Sequence, residues 1–300
     1  MAQFANMDDN ATAQEIASQP DVWVRGLAMA GEARDALVAP GERVLLLGCG
    51  TSWFMAQCLA ELRERAGLGE TDAVCASEFT PRRRYDRVVA LTRSGTSTEV
   101  LDALRRTPAG TRRVAVTAVA GQPVDGLVDS RLLLDFADER SVVQTRFPTT
   151  LLATARAAFG ENLDHLVADG RAALAAPLPA DPADVRHLVF LGTGWTVGLA
   201  HEAALKAREA AQAWSESYPA MDFRHGPVAV AGEHSLVWSF GAVPADLDGT
   251  IRGAGATPVR NDLDPVAQLV LAQRFATALA AHRGLDPDRP RLLTRSVVLA

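Results

Sequence analysis

Two stretches of the chain, roughly 140 residues apart, follow one plan, and this repetition constrains the fold more than any other feature. RVLLLGCGTSWFMAQCLAEL, from Arg43, and HLVFLGTGWTVGLAHEAALK, from His187, each run from a short apolar strand through a Gly-x-Gly turn with small hydroxyl residues into a helix. A duplicated strand–turn–helix unit is the economical explanation. Around the first copy, DAVCAS, RVVALT, RRVAVTAV and SRLLLDF read as further short strands, and STEVLDALRRT as a helix between two of them. Such alternation implies an α/β fold, with mostly parallel sheets covered by helices on both faces. The run from Ser141 to about Leu174 reads as helical until the three prolines of APLPADPAD break it. After HSLVWSFG little chain remains before the final helix DPVAQLVLAQRFATALAAHRG, so the second sheet is expected to be reduced. The expected division is an N-terminal helical segment over 1–40, a first α/β domain over 41–178, and a second, shortened one over 179–300.

With 300 residues and 48% hydrophobic content, the chain can bury a large core. A net charge of -6 argues against general binding to nucleic acid or to an anionic membrane, because both require a basic surface. Cys49, Cys58 and Cys75 lack metal-ligand spacing and read as reduced thiols, so neither a metal nor another cofactor is expected. The start MAQFANMDDN has no basic and apolar leader pattern, and no apolar run is long enough to span a bilayer. These features predict a soluble, cytoplasmic protein.

Two strand ends are rich in hydroxyls. GCGTSW carries Thr51 and Ser52, and LTRSGTSTE carries Thr92, Ser94, Thr96, Ser97 and Thr98. Clustered hydroxyls and backbone N–H groups at a helix N-terminus suit a phosphate dianion, although one or two of them would serve equally as an ordinary helix cap. Neither Gly-x-Gly turn completes the dinucleotide fingerprint, which leaves a nicotinamide enzyme weakly supported.

Lys206 is the only lysine; arginine fills every other basic position. An ammonium can attack a carbonyl or change protonation on burial, and a guanidinium does neither. Glu202, Lys206 and Glu209 fall on one helical face, an arrangement that a surface salt-bridge ladder would share. The following ESYPAMDFRHGP reads as an irregular segment carrying His225, whose imidazole suits acid–base work but is equally at home in solvent.

Taken in order, QEIASQPDVWVRGL, GCGTSW, ASEF, TRSGTSTE, DERSVVQTR, EAALKAREAAQAWSESYPAMDFRHGP and GLDPDRPRLLTRSV resemble the SIS (sugar isomerase) family over nearly the whole chain. The likeness is to its two-domain members: the isomerase portion of glutamine–fructose-6-phosphate aminotransferase, and stand-alone isomerases and deaminases of amino-sugar phosphates. The resemblance implies two tandem SIS-type, flavodoxin-like parallel-sheet sandwiches. It implies a phosphate cradle at Thr92, Arg93, Ser94 and Ser97, a sugar-lining pair at Thr51 and Ser52, and a further wall at Val142 and Gln144. Glu209 matches the base that moves a proton between C1 and C2, Lys206 a lysine beside it, and His225 a ring-opening histidine supplied by the neighbouring subunit of a homodimer.

Two departures bear on the chemistry. The glutaminase that precedes the family's aminotransferase is missing from the start, so glutamine is not expected to be the ammonia source. Arg295 stands where the family has a sugar-binding lysine capable of a Schiff base, which arginine cannot form. The expectation is an enzyme, a phosphosugar isomerase or amino-sugar-phosphate deaminase acting on a hexose 6-phosphate derivative. The alternative is a non-catalytic phosphosugar sensor, against which the Glu209 and His225 pair weighs.

Overall fold

Val44–Gly48 forms β1, and all five of its residues are buried, as a strand covered on both faces requires. The computed structural model to which it belongs describes residues 10–299; the reading of the extreme N-terminus rests largely on residues 1–9, outside the described residues. Beside β1 lie β2 (Thr71–Cys75), β3 (Arg87–Leu91), β4 (Arg112–Thr117) and β5 (Ser130–Leu133), in the order β2-β1-β3-β4-β5, with every pairing parallel. The second sheet contains β6 (His187–Gly192), β7 (Trp214–Pro219), β8 (Ser235–Ser239) and β9 (Thr257–Val259) in the order β7-β6-β8-β9, again all parallel. The first order is that of flavodoxin-like sheets, and the second repeats its first four places.

The helices are α1 (Ala11–Ala17), α2 (Gln19–Ala28), α3 (Ala30–Ala33), α4 (Thr51–Arg65), α5 (Thr98–Arg106), α6 (Arg146–Ala158), α7 (Leu166–Ala175), α8 (Thr196–Ala211), α9 (Leu247–Gly253) and α10 (Pro265–His282). The chain forms two units that are not contiguous in sequence. One comprises Asp21–Glu139, Arg146–Asp164 and Thr294–Ala300; the other comprises Met1–Pro20, Arg140–Thr145 and His165–Leu293. They cut across the linear division at 40 and 178: Arg140–Thr145 joins the four-stranded unit, and the tail from Thr294 joins the five-stranded one.

In the five-stranded unit, α5 turns Val100, Leu101, Ala103 and Leu104 onto Leu45, Leu47, Val88, Ala90 and Ala115. In the four-stranded unit, Val189, Leu191 and Val237 pack with Phe223, Leu247 and Ile251 on one face. The alternate residues Phe190, Trp238 and Phe240 stack on the other with ring centroids 6.2 to 6.4 Å apart, and Phe275 of α10 meets Trp238 edge-on. The duplicated turn has a steric basis. A Cβ on Gly48 would lie 2.5 Å from the carbonyl carbon of Ser52, and one on Gly192 would lie 2.3 Å from the Thr196 carbonyl oxygen. Each strand thus delivers its chain into the following helix at a distance only glycine permits.

Two local expectations are corrected. The run from Ser141 to about Leu174 is not one helix: residues 141–145 lie outside any helix, and α6 ends before Gly160, whose φ of +94° is left-handed. The first four residues of ESYPAMDFRHGP are not irregular, because Glu216–Pro219 completes β7. That strand lies at a sheet edge with no residue fully buried, so its sequence lacks the apolar run of β1. Among the described residues no helix is long and apolar enough to cross a membrane, and no three His, Cys, Asp or Glu side chains gather as a metal site.

Candidate functional site

Strand order reverses between β1 and β3, and ligands of open α/β sheets bind outside the carboxyl ends of strands at such a point. Both hydroxyl-rich turns of the five-stranded unit emerge there. Thr51 and Ser52 open α4 and are buried, as are Thr92 and Arg93; Ser94 and Ser97 are half-buried. The second turn is ordered by its own side chains: Gly95 N–H donates to Thr92 Oγ1 at 3.2 Å, and Thr96 donates to Ser94 Oγ through its N–H at 3.3 Å and its hydroxyl at 2.9 Å. Ser97 is the N-cap residue of α5, yet its side chain makes no capping hydrogen bond. The ordinary structural use of a serine at this place is therefore not the one observed.

Arg93 does not project freely from this turn. Its Nη2 donates to the Arg295 carbonyl at 2.6 Å, and its Nη1 lies 3.9 Å from Glu139 Oε2. The tail continues the attachment, with Thr98 N–H donating to the Val297 carbonyl at 3.1 Å and the Thr96 and Ser296 hydroxyls 2.8 Å apart. The Arg295 guanidinium is engaged by the Asp138 carboxylate and the Glu139 carbonyl. Asp138 and Glu139 were not singled out from sequence, although DERSVVQTR contains them; nothing in that motif says that the acids face a residue more than 150 positions away. Cys49, between the two glycines of the first turn, has its thiol pushed up to about 12 by burial, with Cys75 and Glu99 adding to the effect. It is a neutral thiol near pH 7 and not a nucleophile.

In the four-stranded unit, α8 brings Glu202, Lys206 and Glu209 together. Lys206 is 1% exposed. Its Nζ lies 2.5 Å from Glu209 Oε2 and 3.3 Å from Glu202 Oε1. The Glu202 side chain is 0% exposed and that of Glu209 is 19% exposed, so this is not a ladder on a solvated face. Glu209 sits in the last turn of α8, at the end away from the Gly-x-Gly turn. That turn is filled by its own residues: Thr196 Oγ1 accepts from Thr193 N–H at 2.8 Å and lies 3.0 Å from the Phe240 carbonyl. Nearby in sequence, burial lowers the pKa of His201, whose Nδ1 is 2.9 Å from Ser217 Oγ.

His225 ends a 3-10 turn, Asp222–His225, that is anchored by the buried Phe223. The imidazole is exposed, and among the described residues it makes no hydrogen bond or ion pair. Val142 and Gln144 are half-buried in the segment between β5 and α6, and Gln144 Oε1 is buried without a hydrogen-bond partner.

No family model matches the chain. It is 30% identical over 376 aligned positions to "Putative D-galactosamine-6-phosphate deaminase AgaS" of Streptomyces coelicolor, an alignment covering 95% of this chain and 92% of that protein. It is 27% identical over 343 positions to an isomerizing glutamine–fructose-6-phosphate aminotransferase of Pyrobaculum aerophilum, covering 95% of this chain but 57% of the relative. The chain spans about half the length of the aminotransferases it matches. Among solved structures, a glucosamine-6-phosphate deaminase from Thermotoga maritima superposes with a TM-score of 0.82 at 24% identity, covering 97% of this chain and 100% of that one, which is a likeness of fold.

Proposed function

We infer that this chain, which belongs to the SIS (sugar isomerase) family, is a phosphosugar isomerase or amino-sugar-phosphate deaminase acting on a hexose 6-phosphate derivative by proton transfer between C1 and C2. The observation that carries the choice of chemistry is the state of the only lysine. Lys206 Nζ is buried and held between two carboxylates, and Arg295 cannot form an imine, so neither supplies a nucleophilic amine. Proton transfer needs none.

In this reading the turn carrying Thr92, Arg93, Ser94 and Ser97 holds the phosphate, with Arg93 fastening the turn to the tail, and Thr51 and Ser52 line the sugar. Glu209 takes the C2 proton of the open-chain aldose and returns it to C1, with His225 serving ring opening. When C2 carries an amine, the same shift gives a ketose imine. Water then hydrolyses it to the ketose phosphate and ammonia. Lys206 fixes one oxygen of Glu209 and balances the charge of Glu202. The phosphate supplies binding energy remote from the reacting carbons. Support for the deaminase arm is the relative matched over nearly its full length, whose name specifies an amino-hexose phosphate.

A panel of hexose and amino-hexose 6-phosphates, read first by thermal shift and then by product formation, tests the reading. Exchanging both Ser94 and Ser97 for alanine is expected to weaken binding of whichever sugar phosphate stabilises the protein by about 1 to 3 kcal/mol, the scale of lost hydrogen bonds to a charged group. Unchanged affinity in titration calorimetry would return that turn to a purely structural role.

The exposure of His225 is consistent with its completing the site of a second subunit in a homodimer. If so, Glu209→Gln and His225→Ala proteins, each inactive alone, regain part of the activity when mixed and allowed to exchange subunits, because some mixed dimers contain one intact site. Exchange without recovery of activity would assign both residues to one chain's site.

A further inference from the structure

The stretch QEIASQP near the start of the chain has no part in the chemistry above. Its Glu15, in α1, is a carboxylate that is only 2% exposed. It accepts from the backbone N–H of Arg140 at 2.6 Å and of Ser141 at 3.3 Å, and it also accepts from the Ser141 hydroxyl. The neighbouring Gln14 Oε1 accepts from Arg140 Nη2 at 2.9 Å. At the other end of the same segment, the Thr145 carbonyl accepts from Gln273 Nε2 of α10 at 3.4 Å, and Gln273 Oε1 accepts from Gln19 Nε2 at 2.7 Å. Gln19, Ser141, Thr145 and Gln273 are all buried. Arg140–Thr145 is thus tied at both ends by buried polar groups of its own unit. Between the ties lie Val142 and Gln144, the latter with its buried, unpartnered Oε1.

A buried carboxylate is a poor source of net stability, because desolvation offsets what its hydrogen bonds return and apolar packing would serve as well. What it adds is direction: several donors converging on one carboxylate leave the backbone at 140–141 a single orientation. An amide oxygen buried without a partner is costly on its own and is satisfied by an incoming hydroxyl.

We propose that Glu15 is a positioning residue: it holds Arg140 and Ser141 so that Gln144 Oε1 is presented to a hydroxyl of the bound sugar. The inference rests on the phosphosugar reading, and its test separates the two. Full-length wild type and Glu15→Gln are titrated calorimetrically with galactosamine 6-phosphate, glucosamine 6-phosphate and inorganic phosphate, and amide hydrogen exchange is followed over residues 140–145. The neutral amide keeps the shape but turns donors toward donors. The expected result is binding of amino-hexose phosphate about tenfold weaker, phosphate binding changed less than about twofold, and faster exchange confined to that segment. Ser141→Ala, which removes the hydroxyl bond alone, is expected to shift the same quantities in the same direction by less, and it decides the matter should Glu15→Gln fail to fold. A lowered melting temperature with unaltered sugar-phosphate affinity would make Glu15 merely structural and overturn the proposal alone. A wild type that binds none of the three ligands would overturn the functional reading and this inference with it.

Discussion

Lys206→Met is expected to destabilise the protein by about 3 to 5 kcal/mol, seen as a lower denaturant midpoint at an unchanged slope. Methionine fills most of the space, so the loss is not that of a cavity. It comes from the wholly buried Glu202 carboxylate, which loses an ammonium 3.3 Å away while Glu209 loses one at 2.5 Å. Two like charges, two turns apart on one face of α8, are then left without the cation that lay between them. Removing the Glu202 charge as well, in Lys206→Met with Glu202→Leu, is expected to restore most of the loss, because an apolar replacement of a buried ion pair is often near neutral. Lys206→Arg keeps the charge but places a planar guanidinium where a compact ammonium fits, for a cost of about 1 to 3 kcal/mol from overpacking. A ladder on an open helix face would lose only a few tenths of a kcal/mol in every one of these variants. Borohydride treatment with substrate should leave Lys206 unmodified; a mass adduct there would show that the ammonium leaves its two carboxylates and forms an imine.

The parts of the fold legible in the sequence are those where local chemistry and tertiary environment agree. β1, β3 and β6 are buried strands and read as apolar runs, and the two Gly-x-Gly turns announce themselves because Gly48 and Gly192 each meet the next helix too closely for a side chain. β7 did not read as a strand, because an edge strand carries polar residues on both faces. Ser141–Thr145 read as helix because the shape of this segment is imposed by Glu15 and Gln273, more than 120 positions away in either direction. The same limit applies at the site. Helical spacing placed Glu202, Lys206 and Glu209 on one face, but a solvated ladder and a buried triad share that spacing; burial decides between them, and it depends on what packs around α8. Arg295 was conspicuous as a substitution, whereas its engagement with Asp138 and Glu139 follows only from the path of the tail.

Glu209→Gln is expected to reduce turnover by a factor of about 10² to 10⁴, the range attributed to a positioned general base, with kcat and kcat/KM falling together. Of the two carboxylates flanking Lys206, Glu202 has no exposed side-chain surface, whereas Glu209 keeps 19%. Lys206 holds Oε2 of Glu209, and among the described residues Oε1 makes no hydrogen bond, so one oxygen is fixed while the other can receive a proton. Glutamine has the same shape and can still offer an oxygen to Lys206, so folding and sugar-phosphate affinity are expected to stay close to wild type. Only the proton acceptor is lost. Exchange at carbon gives a direct reading of that step. In deuterated water the wild type is expected to place deuterium on C1 or C2 of recovered hexose phosphate, and Glu209→Gln to place almost none. A variant that exchanges and turns over within about tenfold of wild type would mean that another group moves the proton, and would leave Glu209 as the charge partner of Lys206 alone.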